Sequence, residues 1–150
     1  MLFTGYSENS IDSKGRLAVP FRYRDLWNPE RDGKAWYCLP CSKSFLRLYT
    51  ENYFESIGQT TGKPTLLPDR DTADREALLF SSAARIEMDS AGRIMIPKKQ
   101  LDITGLKNEV AVIGAGNRVE IHDLARWNAR MEDPARSLEA LIERPPLPDR

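Results

Sequence analysis

The chain has one histidine, two cysteines and no run approaching the roughly 20 apolar residues that a membrane-spanning helix requires. Each shortage narrows the field. One chain offers too few histidines and cysteines to complete a four-ligand zinc site, so metal through Cys38 and Cys41 would need a second chain. A nucleophile–base pair built on His122 lacks an evident partner. No glycine-rich phosphate loop, Walker pattern or zinc-hydrolase helix is present, and the expectation is a protein that is not an enzyme and carries no cofactor. Residues 1–10 lack the basic start and apolar stretch of a signal peptide, so a soluble, cytoplasmic protein is expected. Net charge is also missing: 22 basic residues balance 22 acidic ones. That balance argues against a generic whole-surface nucleic-acid binder and leaves room for a local basic patch.

What the chain does have is a repeat. Residues 12–20 read DSKGRLAVP and residues 89–97 read DSAGRIMIP, aligned without a gap. Asp12 matches Asp89, Gly15 matches Gly92, Arg16 matches Arg93 and Pro20 matches Pro97. Such a self-match marks two versions of one structural unit. Asp-Ser-x-Gly before an apolar run reads as a three-residue hairpin turn with a bulge, the glycine taking positive φ. Asp12 and Asp89 are placed to hydrogen-bond the backbone of their own turns. Val19, Ile94 and Ile96 favour a short strand, which the prolines end while opening a short helix. Arg16 and Arg93 then lie just past the turns. They either sit in water, pair with Asp12 and Asp89, or serve a ligand.

The remaining elements follow the same doubling. The first half reads as a strand over 2–7, the hairpin, a helix over 21–27, a polar loop over 28–34, strands over 36–39 and 45–49 around a turn at 40–43, and a helix over 52–59. The second half repeats this with strands over 85–89 and 94–96, a helix over 98–104 stopped by Gly105, strands over 109–113 and 118–122, and a helix capped by Asp123. Phe54 and Trp127 hold matching places. A helix over 71–84, capped by Asp71 or Thr72, is expected to join the halves and pack its Ala73, Ala77, Phe80 and Ala84 stripe on a shared core. Units of this size bury too little surface to stand comfortably alone, which favours one core built from both. The expected division is a first unit over 1–59, a linker and helix over 60–84, a second unit over 85–131 and a tail over 132–150, disordered from 145.

The doubled D-x-x-G-R-x-x-x-P motif, with the opening MLFTGYSENSIDSKGR, closely resembles the MraZ family of the AbrB-like (SpoVT-AbrB) group over roughly residues 1–131. The resemblance implies a mixed α+β, β-rich fold. Two tandem swapped-hairpin units form a pseudo-dimeric core with a connecting helix. It also implies a ring-shaped homo-oligomer and a nucleoid-associated transcriptional regulator. The implied partner is double-stranded DNA carrying short promoter repeats upstream of the protein's own cell-division and cell-wall gene cluster. The resemblance places an aromatic, usually Trp, where this chain has His122, and a Leu-Arg pair where it has Leu101-Asp102.

Lys14, Arg16, Arg22 and Arg24 are the leading DNA candidates, set against the single acid Asp12. Arginine suits bidentate contacts to guanine or phosphate. Lys14 and Arg16 are expected to ride the first hairpin into the major groove while Arg22 and Arg24 grip the backbone. Arg93 ranks second because Ala91 replaces the lysine, and Lys98 and Lys99 are phosphate candidates or a solvated helix face. Two rival readings stand beside this one: a scaffold that keeps the doubled architecture without binding DNA, and a redox or zinc module at Cys38 and Cys41.

Overall fold

A computed structural model describes residues 1–41, 44–60 and 65–145 of the chain. Its centre is a six-stranded antiparallel sheet built from β1 (Tyr6–Ser10), β3 (Ala35–Cys41), β4 (Phe45–Thr50), β5 (Ala84–Glu87), β7 (Glu109–Gly114) and β8 (Val119–Asp123). Across the sheet the strands run in the order β1-β7-β8-β4-β3-β5. The order is a palindrome of the repeat. Each half supplies a hairpin, β3–β4 or β7–β8, and sends the strand before its motif to the other half's hairpin. Thus Tyr6 faces Ile113 and Ile86 faces Trp36. The fold is mixed and β-rich, as expected.

The two hairpins meet at β4 and β8, where Arg47 lies opposite Glu120. Counted from the ends of their strands, these two residues occupy equivalent positions of the repeat. Two copies of the first half, joined in the same way, would set Arg47 against Arg47; two copies of the second would oppose glutamates. Like charges directly opposed across strands are destabilising, so this position favours the pairing of unlike halves.

The motif strands β2 (Arg16–Ala18) and β6 (Arg93–Met95) pair with each other in a separate two-stranded ribbon. Leu17 and Ile94, opposite one another, point inward and are 1% and 0% exposed. They join Phe3, Trp36, Val110 and Ile121 in a single apolar core drawn from both halves. Burying each such side chain contributes roughly 1.5–3 kcal/mol. The remaining elements are α1 (Phe21–Asp25), α2 (Pro29–Asp32), α3 (Glu51–Thr60), α4 (Arg70–Ser82), α5 (Lys98–Thr104), α6 (Leu124–Met131), a 3-10 turn (Pro134–Arg136) and α7 (Leu138–Glu143).

Several expectations change. The first strand begins at Tyr6 rather than residue 2, because Gly5 sits at φ 84, leaving Phe3 in an isolated bridge to Gly116. The polar loop over 28–34 contains α2. Asn28 caps it by accepting from the Glu30 and Arg31 amides, with proline at the first position. Its Asp32 is buried and accepts from Asn28 N at 2.9 Å and Arg31 Nη2 at 2.7 Å. Pro40 and Cys41 extend β3 instead of turning; the rest of that expected turn, Ser42 and Lys43, lies outside the described residues, as does the tail over 146–150. The cap of α4 is Asp69, whose carboxylate takes both the amide and the hydroxyl of Thr72. None of its residues is buried, and Ala77 and Phe80 are exposed. The helix lies beside the sheet, with Phe80 meeting Phe54 edge to face at 6.1 Å and Ser82 O accepting from Gln100 Nε2 at 3.0 Å.

Candidate nucleic-acid interface

The two turns are built alike. Asp12 N donates to Arg16 O at 3.0 Å and Gly15 N to Asp12 O at 3.0 Å, closing a three-residue loop with Gly15 at φ 81. The second copy repeats this with Asp89, Arg93 and Gly92, the last at φ 76. Asp12 Oδ1 accepts from Lys14 N and Arg16 N, both at 2.9 Å, while Oδ2 takes Arg16 Nε at 2.6 Å. Asp89 takes Ala91 N and Arg93 N at 2.9 Å and Arg93 Nε at 3.0 Å. The backbone amide of Arg16, followed by its side chain, holds the Asp12 carboxyl below the usual range, and Arg93 does the same for Asp89. Each tip is also tied to the other copy. Gly15 O accepts from Ile96 N at 2.9 Å and Gly92 O from Val19 N at 3.0 Å.

The ion pairs consume one nitrogen of each guanidinium. Among the described residues no hydrogen bond engages the Nη atoms of Arg16 or Arg93, so the aspartates fix each fork at its base and leave its tips open. Strand alternation puts Arg16 and Arg93 on the outer face of the ribbon, beside Ala18 and Met95. Met95 is 56% exposed. Its exposure was hidden in the sequence because 94–96 reads as one apolar run; the two-residue period, fixed by Ile94 pointing in, is the signal that separates it.

The other candidates scatter. Lys14 and Lys98 line one groove, between the first turn and the start of α5. Arg22 stacks on Tyr23, its guanidinium lying where a side chain on Gly5 would be. Arg24 turns to the second hairpin, donating through Nε to Val19 O at 3.0 Å and through Nη1 to Ala91 O at 3.5 Å. Lys99 lines a different groove, against Leu78, Ser81 and Ile103. The motif prolines Pro20 and Pro97 precede α1 and α5, their carbonyls receiving the first helical amides.

Cys38 and Cys41 lie on an extended strand, not at the helix start that would stabilise a thiolate. Burial pushes both thiols up. His122, 6% exposed, stacks on Phe45 at 4.4 Å and reaches Trp127 at 4.9 Å. Its Nε2 lies 2.9 Å from Glu120 Oε1, a packing place rather than an open site. Among the described residues, no helix is long and apolar enough to cross a membrane.

A sheet assembled from two interleaved halves, with a ribbon of paired arginine-bearing turns on it, defines a duplicated swapped-hairpin protein. Residues 79–144 match the family described as "MraZ protein, putative antitoxin-like". The chain is 37% identical to the "Transcriptional regulator MraZ" of Yersinia enterocolitica over 134 residues, 88% of this chain and 86% of that relative. It is 33% identical to the protein of that name from Coxiella burnetii, with the same coverage. The Pectobacterium carotovorum protein is 34% identical over 99% of this chain and 96% of its own length. The chain belongs to the MraZ family of transcriptional regulators. The curated relatives carry the name of a regulator, not of an enzyme.

Proposed function

We propose that the chain is a sequence-specific DNA-binding transcriptional regulator built from two units, 1–59 and 85–131, joined through 60–84. It acts as a ring-shaped homo-oligomer on short repeats upstream of its own cell-division and cell-wall gene cluster, in the cytoplasm at the nucleoid. The observation that carries the reading is the outer face of the β2–β6 ribbon, where Arg16 and Arg93 are each held at Nε by an aspartate with their Nη atoms open. A two-stranded ribbon fits the major groove, and an oriented guanidinium fork matches guanine O6 and N7. Lys14 and Lys98 supply phosphate contacts beside it. One ribbon spans few base pairs, so several copies on a ring gain affinity through effective concentration.

Arg16→Ala tests the reading. Specific binding to the upstream repeats is expected to fall while the oligomer, checked by light scattering, persists. Unchanged specificity in an assembled Arg16→Ala protein refutes readout through the first turn. Failure of wild type to bind any duplex supports a scaffold role instead.

A further inference from the structure

The two turns are alike in their hydrogen bonds and unlike in what lies against them. Beside the first turn is an open groove of about 480 Å³, lined on one side by Ser13, Lys14 and Gly15 and on the other by Met95, Lys98 and Leu101. The lysines come from different halves of the chain. Lys14 belongs to the first turn and Lys98 opens the helix that follows the second motif. Both are exposed, and neither amine has a partner among the described residues.

The repeat defines what stands in each equivalent place at the second turn. Ala91 replaces Lys14, Phe21 replaces Lys98 and Arg24 replaces Leu101. There the groove is occupied. The Arg24 guanidinium lies over Gly92 where a side chain would project, bonded to Val19 O and Ala91 O and resting on the Phe21 ring at 5.6 Å. At the first turn Leu101 takes the corresponding seat, 3.4 Å from where a Gly15 side chain would begin. Leucine offers no donors and leaves the two lysines facing open space.

We infer that the groove beside the first turn is the phosphate seat of this protein, formed jointly by Lys14 and Lys98, and that Arg24 closes the equivalent seat at the second turn. This rests on the DNA-binding reading and deepens it. The DNA surface is composite: the second half of the chain completes the site of the first. Lys98 and Lys14 act as one pair of phosphate contacts, and Arg24 braces a turn instead of gripping the backbone.

Binding of the full chain to the upstream duplex and to a scrambled duplex, followed by fluorescence anisotropy across roughly 50–200 mM salt, tests this. Removing one phosphate-binding amine flattens the slope of log affinity against log salt by about 0.9. Lys14→Ala and Lys98→Ala should each do so, weakening both duplexes alike, because phosphate contacts carry no sequence information. Arg75→Ala, on exposed α4, should leave the slope unchanged. Opening the second seat with Arg24→Leu, Phe21→Lys and Ala91→Lys should steepen it by up to about 2. Wild-type binding with a Lys98→Ala slope equal to wild type overturns the composite seat and leaves the DNA reading standing. No wild-type binding to either duplex overturns both.

Discussion

Replacing Glu120 with Gln removes the one acid at the centre of the sheet. Its Oε1 faces His122 Nε2 at 2.9 Å, and its Oε2 accepts from Arg118 Nε at 2.8 Å and Arg47 Nε at 3.3 Å. Its carboxyl sits at about 2 rather than 4.5: burial raises it, but His122 and Arg118 together lower it by more. Moving a carboxyl that far corresponds to roughly 3 kcal/mol in favour of the charged, folded form. The arginine side chains are 35% and 29% exposed, so water replaces part of what they lose, and the expected destabilisation at neutral pH is about 2 kcal/mol. For a chain of this size that lowers Tm by about 4–8 °C. The sign with pH is fixed. A depressed folded-state value gives stabilisation that is complete above 4.5 and disappears as pH falls towards 2. Wild type and Glu120→Gln, compared by thermal unfolding at one protein concentration, should therefore converge across that window. A Tm gap as large at pH about 3 as at pH about 7 would refute the assignment of that energy to the carboxylate.

The charge pair across β4 and β8 makes a related prediction. Arg47→Glu should unfold earlier than wild type, and Arg47→Glu with Glu120→Arg should recover part of the loss in a double-mutant cycle. Gly15→Ala forces a side chain at φ 81, 3.1 Å from Ile96 O, and should cost about 1–2 kcal/mol, measured by urea unfolding. Asp32→Ala leaves the Asn28 amide and the Arg31 guanidinium without their buried acceptor, and should cost about 2–3 kcal/mol in the same assay. Cys38, fully buried with its thiol pushed up, should resist an aromatic disulfide reagent until the protein unfolds, while half-buried Cys41 reacts slowly.

The local geometry of the motif was legible because it is set by residues within a few positions of each other. Aspartate, glycine and the two-residue strand period dictate the turn in both copies, and Gly105, at φ 68, ends α5 where its residue type implies. Partnership was less legible. Nothing in the periodicity of 6–10 or 84–87 says which hairpin each strand joins; the exchange between halves was implied by the family resemblance alone, and the register fixes its partners. The helix α2 was missed because Asn28-Pro29 signals both the end of one helix and the start of the next. In α4 the alanine stripe has the spacing of a packed face, yet side chains that small bring little apolar area to the sheet. Met95 was hidden inside an apolar run; Lys98 was legible as a phosphate candidate, but its place in one groove with a turn more than eighty residues earlier was not.

Readout of DNA through the first turn is decided by titrating the purified protein against the DNA upstream of its own gene and a scrambled duplex across a salt series, with Lys14→Ala/Arg16→Ala beside it. The predicted result is a preference for the upstream sequence that survives moderate salt and disappears in a variant that still assembles. Equal affinity of the wild type for both duplexes, or a preference that the variant retains, would contradict it.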